Sequence, residues 1–160
     1  MKRLVVATVG VGLCGWLGLA AGAPALAAET NPFVGRWHWD RAQSRLPPGE
    51  ALPADMWAEF SRVDALHVRW RITITGPQGQ KSVESFDTPA NGEFYPVNAD
   101  TMVAVRLGRS TMQATFRGPQ GQTDALACTV SADRQTMTCD GKMTRTDGQS
   151  QSYVDVYRRR

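Results

Sequence analysis

The stretch Leu66-His67-Val68-Arg69-Trp70-Arg71-Ile72-Thr73-Ile74-Thr75, followed by Gly76-Pro77-Gln78-Gly79, decides the fold. Apolar and polar side chains alternate with period two. Leu66, Val68, Trp70, Ile72 and Ile74 therefore share one face of a strand, and His67, Arg69, Arg71, Thr73 and Thr75 share the other. Gly76-Pro77-Gln78-Gly79 turns the chain. Counting back across four turn residues pairs Ile72 with Val83 on the apolar face and Arg71 with Glu84 on the wet one. The pattern predicts a hairpin with one face buried.

Outward from that hairpin the same texture continues. The string Gly-Pro-Gln-Gly-Gln recurs at 118–122, and with unlike flanks it reads as the same turn chemistry reached twice rather than as a repeat. If the second turn pairs like the first, Ala114 faces Ala125, and Leu126, Cys128 and Val130 fall on the opposite face from Met112 and Phe116. A one-residue bulge near the turn repairs the conflict. Further strands are expected at 34–39, 103–107, 111–117, 142–146 and 153–157, with turns at Asn91-Gly92, Asp140-Gly141 and Asp147-Gly148. Segment 55–63 stays open: Met56, Trp57, Phe60 and Val63 fit a helical face, yet the run that follows is strand.

Cys128 and Cys139 flank the turn Ala132-Asp133-Arg134-Gln135. Counting outward pairs Ser131 with Thr136, Val130 with Met137, Thr129 with Thr138 and Cys128 with Cys139. Thiols directly opposite each other across two strands have the separation a disulfide needs. Such a bond closing a short loop adds about 2 to 3 kcal/mol. Two cysteines eleven apart, with no nearby His and no Cys-x-x-Cys, do not make a metal or redox set.

Of the chain's 160 residues, 42% are hydrophobic and 21% charged, which fits one globular domain and excludes collagen-like, disordered or polytopic membrane classes. Residues 1–28 stand apart. Lys2 and Arg3 precede an apolar run from Leu4, and Ala25-Leu26-Ala27-Ala28 closes it, the layout of an export signal cleaved after Ala27 or Ala28. The rival reading is an uncleaved membrane anchor. Cys14 follows Leu13 rather than a small residue, so it leaves with the signal and is not lipidated. On this reading the mature domain is 29–160, periplasmic or secreted, with no stable membrane insertion. Removing Lys2 and Arg3 from the 18 basic residues leaves 16 against 15 acidic ones, a net charge of +1. Without a dense basic face, nucleic acid is not an expected partner. Arg158, Arg159 and Arg160 read as a solvated tail.

Nine or ten short antiparallel strands without crossover helices predict an all-β fold, a sandwich or an up-and-down barrel. The opening Asn31-Pro32-Phe33-Val34-Gly35-Arg36-Trp37, with Asp40 and Ser44 after it, resembles a group of small secreted bacterial lipocalin-like proteins of the calycin type. Asn91-Gly92-Glu93-Phe94-Tyr95-Pro96-Val97, the hairpin 130–138 and the ending Val154-Asp155-Val156-Tyr157 are similar to that group as well. Asn91 stands where the group tends to have Asp, and Arg134 where it has a turn Gly. The cysteine pair is not general to it. The resemblance implies an antiparallel up-and-down lipocalin-like barrel of about 8–10 strands and no particular activity. It further implies that Trp37 plugs the closed end as a structural residue, beneath an Arg of the last strand for which Arg158 is the candidate.

A barrel of this size either fills its interior with side chains or holds one small ligand there. The side chains expected inside, and therefore the candidate ligand lining, are Trp39, Leu66, Trp70, Ile72, Val103, Val105, Met112 and Phe116. The sequence leaves a cavity and a solid core equally open. No Gly-x-Ser-x-Gly, His-Glu-x-x-His or phosphate loop is present, so no catalytic residue is assigned. His38 and His67 sit on polar phases and should point outward, which leaves no metal or haem ligand set and no cofactor. Arg71 and Glu84 read as an exposed pair worth under about 1 kcal/mol, and Asp133, Asp140 and Asp147 as turn formers. The function expected is a non-enzymatic binding protein for a small apolar or amphipathic molecule. The alternative is a cell-envelope interaction module with a solid barrel, and an enzyme would require a polar cluster inside.

Overall fold

The computed structural model describes residues 30–47 and 52–160; the expected export signal, with Cys14, lies outside the described residues. The described chain contains ten strands: β1 (Gly35–Trp39), β2 (Asp55–Val63), β3 (His67–Thr75), β4 (Lys81–Pro89), β5 (Asn91–Pro96), β6 (Met102–Leu107), β7 (Thr111–Arg117), β8 (Thr123–Val130), β9 (Thr136–Thr144) and β10 (Ser150–Arg159). They form one antiparallel sheet in the order β4-β3-β2-β1-β10-β9-β8-β7-β6-β5. Every strand pairs with its chain neighbour except at one place, and β1 closes against β10. The exception is the pair of sheet edges, β4 and β5. The sheet curls into a nearly closed up-and-down barrel, and across its seam Phe86 of β4 meets Phe116 of β7 with ring centroids 5.4 Å apart.

Segment 55–63 is a strand. Met56, Ala58 and Phe60 alternate into the core while Trp57 and Glu59 face out, and a bulge between Phe60 and Arg62 returns Val63 to the inside. The helical spacing of Met56, Phe60 and Val63 is the by-product of that bulge.

Both Gly-Pro-Gln-Gly-Gln turns are one residue shorter than the four-residue count. Gly76 N–H donates to Gln80 O at 2.8 Å and Gly118 N–H to Gln122 O at 2.9 Å, so each first Gly belongs to the ladder. Gly79 and Gly121 take φ of 83° and 84°, the left-handed residue that turns a three-residue loop into a bulged hairpin. In each, the last Gln folds back to accept the backbone N–H two residues earlier, at 3.1 and 3.2 Å. The shortened turns shift both registers. Ile72 pairs with Glu84 rather than Val83, Arg71 with Ser85 rather than Glu84, and Ala114 with Leu126 rather than Ala125. The bulge thus lies within the turn itself, and Met112, Phe116, Leu126 and Cys128 share the inner face.

Three further expectations are corrected. Asp140-Gly141 is no turn: β9 runs through it and pairs on both sides, with Leu126 and Tyr153 opposite Gly141. Asn91-Gly92 forms no hairpin tip either but an irregular start to β5, with the register shift between Asn91 and Phe94. The terminal arginines are not a tail, because Arg158 and Arg159 complete β10 and the Arg160 N–H donates to Arg36 O at 2.9 Å. The turn at Asp147-Gly148 is present, its Asp147 carboxylate accepting the Gln149 N–H at 2.9 Å.

Cys128 lies opposite Cys139 and is joined to it by a disulfide, S–S 2.02 Å. Thr129 faces Thr138 and Val130 faces Met137, as the outward count from the turn requires.

One end of the barrel is sealed by Trp37, which is fully buried and donates its indole N–H to Phe33 O at 2.8 Å. The arginine above it is Arg159, not Arg158. Its guanidinium lies 4.2 Å from the Trp37 ring and donates to the carbonyls of Pro32, Val34 and Arg134, tying the chain start and the β8–β9 turn to the plug. A Cβ at position 35 would come within 2.5 Å of that guanidinium, so the glycine two residues before Trp37 makes room for the arginine. Arg158, one residue earlier, points outward to Asp40 at 3.2 Å and Thr136 at 2.8 Å.

Candidate functional site

The interior opposite the plug is the candidate site. Seven of the eight side chains expected inside are there: Trp39, Trp70, Val103, Val105 and Met112 are buried, and Ile72 and Phe116 are partly buried against them. Leu66 is not. It is 77% exposed in the β2–β3 connection, where the Asp64 carboxylate accepts the N–H groups of both Leu66 and His67 at 2.9 Å and delays the strand to His67. That turn also keeps the Asp64 carboxyl below its ordinary range, with the Arg62 hydrogen bond as the largest cause.

The aromatic residues form a continuous ladder. Phe33, Phe60, Trp70, Phe86 and Phe116 are linked by successive centroid distances of 5.8, 6.1, 4.5 and 5.4 Å. They fill most of the barrel and leave an internal cavity of about 60 Å³. Trp70, Ile72, Met112 and Phe116 line it, together with Leu126 and the Cys128–Cys139 disulfide; Trp39, Val103 and Val105 contribute to the core beside it. A surface hollow of about 710 Å³ lies at the plugged end among Asn31, Asp64, Arg109 and Ser131, and shares none of its lining with the cavity.

A polar set inside the barrel was not expected from the sequence. Asp155 and Tyr157, on the inner phase of β10, line the cavity with the apolar residues. The Asp155 carboxylate accepts the Trp39 indole N–H at 2.9 Å. Burial, reinforced by the negative Asp124 and offset in part by the Trp39 hydrogen bond, pushes its carboxyl up to about 6. Nearby, the Tyr153 hydroxyl donates to both oxygens of Asp124, at 2.8 and 2.9 Å. Desolvation raises the Asp124 carboxyl while this hydrogen bond lowers it. Tyr153 lies flat across Gly141, where a Cβ would come within 2.0 Å of its ring. Tyr157 is 8% exposed, and its hydroxyl is held neutral well above the usual phenol range by burial and the two aspartates. Tyr153, Asp155 and Tyr157 share the strand phase of Arg159, the part-buried arginine over the plug, and that phase is set by the pairing of β10 with β1 rather than by any local pattern.

The histidines face outward. His38 stacks on Trp57 at 4.3 Å and reaches Asp55 at 2.8 Å, while His67 Nδ1 lies 2.8 Å from Asp87. Arg71 is paired not with Glu84 but with Glu59, at 2.5 Å across β2, an exposed pair of small worth.

No protein-family model and no curated protein matches the sequence. Solved structures do match in fold. The fluorescent protein UnaG, in its wild-type form, is similar with a TM-score of 0.53 at 15% identity, over 80% of this chain and 97% of that one. A redesigned beta barrel matches with a TM-score of 0.52 at 12% identity, over 84% and 99%. The protein EF1p2_mFAP2b, solved bound to DFHBI, matches with a TM-score of 0.50 at 10% identity, over 81% and 94%. At these identities the likeness is one of fold: the chain is an antiparallel up-and-down β-barrel.

Proposed function

We propose that this chain is an exported, non-enzymatic binding protein that holds a small amphipathic molecule inside its barrel. The observation that carries the reading is the internal cavity, in which an aromatic wall and two polar groups, Asp155 and Tyr157, face the same space. A side chain that only fills a core has no need of a carboxylate, and burying one is costly unless something hydrogen-bonds it. That one structural neighbour was solved with a small molecule, DFHBI, agrees with this use of the fold. Export rests on residues 1–28, and the periplasm or exterior suits the disulfide. Native mass spectrometry of the protein purified from its own cells tests the reading. A reproducible adduct released by denaturation, and saturable quenching of Trp39 and Trp70 fluorescence on adding it back, are expected. An empty protein with no saturable quenching overturns it.

The size of the cavity favours one second reading. Pockets for drug-sized ligands run to about 300–1,000 Å³, so the barrel is close to solid, as an interaction module would be. Its outer face carries Trp57 between Arg36, 4.9 Å from the ring, and His38. Cross-linking in the cell envelope that returned one dominant protein partner at this face, in place of a bound small molecule, would establish that reading.

A further inference from the structure

We infer that the ligand site of this barrel is the internal cavity together with the hollow in its mouth, and that the Phe116 ring is the movable partition between them. Turned away from Phe86, the ring opens one space for an elongated uncharged molecule, apolar at its inner end and hydrogen-bonding at its outer end. The inference rests on the reading of the barrel as a binding protein and says how a ligand larger than the cavity is taken up.

The two spaces share one wall. The cavity, about 60 Å³, and a hollow of about 470 Å³ at the unplugged end have Phe116 in common and no other lining residue. The hollow belongs to the interior, not to the outer face of the sheet. Phe116 lies opposite Asp124, and Asp124 opposite Met143, so these three form an inner row one step nearer the mouth than Ala114, Leu126 and Gly141. Alone, the cavity is far below the roughly 300–1,000 Å³ of pockets for drug-sized ligands; joined to the hollow, it falls within that range.

Phe116 is also the ring of the ladder placed to move. Phe33, Phe60, Trp70 and Phe86 are buried, and Trp70 is clasped between Phe60 and Phe86 at interplanar angles of 19° and 16°. Phe116 ends the ladder and is only partly buried, and its one ring contact among the described residues is to Phe86, at 66°. That contact crosses the seam where β4 and β5 do not pair, so no ladder hydrogen bonds tie the two sides directly. A change of rotamer at this terminal side chain leaves the stack beneath it intact.

The walls then set the ligand's chemistry. Inside, Trp70, Ile72, Met112 and Leu126 favour an apolar body, and Asp155 there already accepts the Trp39 indole N–H. The mouth offers Thr101, Gln122, Thr123 and Thr144, whose hydroxyls and amide both donate and accept. It also carries one acid, Asp124, and one base, Arg145. Charges of both signs give neither an anion nor a cation the advantage, so the outer end of the ligand is polar and uncharged.

The test uses N-phenyl-1-naphthylamine, an uncharged fluorophore larger than the closed cavity, with the unaltered protein, Phe116→Ala and Met112→Ala at pH 7.5. Met112→Ala widens the cavity from a wall that does not touch the mouth hollow. The unaltered protein should bind the probe saturably. Removing the partition should tighten binding and speed association on the order of tenfold, whereas Met112→Ala should associate within about twofold of the parent, because only the first change raises the open fraction. In the unaltered protein, nuclear Overhauser contacts between the Phe86 and Phe116 rings should vanish at saturation while those between Trp70 and Phe86 persist. Phe116→Leu, a smaller loss of volume, carries the same comparison if Phe116→Ala does not fold. Equal gains in Phe116→Ala and Met112→Ala, Phe86–Phe116 contacts retained at saturation, or no uptake of the probe by the unaltered protein overturns the partition. With such a result, an adduct on the protein purified from its own cells keeps the binding reading, and an empty protein removes that as well.

Discussion

Asp155 sits in an aromatic cavity with a single hydrogen bond, from Trp39. Its carboxyl is raised from 3.8 to about 6, so between those values the folded chain retains a proton that the unfolded chain has released. Stability therefore falls as pH rises through this window, and the loss is complete above the folded value. At about 1.4 kcal/mol per unit the loss is on the order of 2–3 kcal/mol. Asp155→Asn should be more stable than the parent at pH 7.5 by up to that amount, and the slope of stability between pH 4 and 6 should flatten. Urea unfolding at pH 4.5 and 7.5 measures both. Arg158 and Arg159 make a second comparison. Arg159 stacks on Trp37 and supplies three carbonyls with donors, whereas Arg158 makes part-exposed contacts to Asp40 and Thr136. Arg159→Met should cost on the order of 3 kcal/mol by stranding those carbonyls, and Arg158→Met under about 1 kcal/mol, read from thermal or urea unfolding. The resemblance implies an arginine of the last strand over the plug, with Arg158 as the candidate, and the structure puts its neighbour Arg159 there. Strand phase decides which faces in, and the phase of a chain end is set by the pairing Trp37 with Arg159, which no local pattern states.

At the level of elements, alternation was enough to find the strands and their inner faces, and it failed where turn chemistry sets the register. Gly-Pro-Gln-Gly was visible as a turn; that its first glycine stays in the ladder depends on the third-position left-handed glycine, a bulge that adds one residue to one strand. Asp140-Gly141 carries a strong turn signal, yet the glycine is there to admit the Tyr153 ring. Gly141→Ala should drive Tyr153 off Asp124 and cost about 1–3 kcal/mol as an overpacked position does, with the tyrosine's absorbance and hydrogen exchange reporting the lost hydrogen bond. The pairing of β8 with β9 from the turn out to Cys128 and Cys139 was legible, because the four-residue turn and the cysteines fix the register twice, whereas the continuation of β9 through Asp140-Gly141 was not. The disulfide spans a sequence separation of 11, so reducing it, or Cys128→Ser with Cys139→Ser, should lower stability by about 3 kcal/mol. The barrel should remain assembled under those conditions, since both cysteines also belong to strands paired on each side. Far-ultraviolet circular dichroism with and without reductant, alongside unfolding curves, checks both parts.

At the scale of the whole molecule, one sheet carries two opposed ends. The plug end spends Phe33, Trp37 and Arg159 on closure, and the seam between the edge strands is closed by ring contacts from β4 to β7. The barrel class followed from strand count and connectivity. The cavity did not, because its size is the remainder left by five aromatic rings whose mutual packing no strand pattern encodes, and its one acid, Asp155, stands on an inward position that periodicity alone reads as core. The central claim is that this remainder is occupied by a ligand. Methyl-selective NMR of protein labelled at Ile, Leu, Val and Met, titrated with a small-molecule extract of its own cells, tests the claim most directly. Saturable shifts should appear at Ile72, Met112, Leu126 and Met137, which line the cavity, and be absent at Leu66 and Val83 on the outside. Shifts confined to Leu66 and Val83, or no shifts at all, would contradict the account.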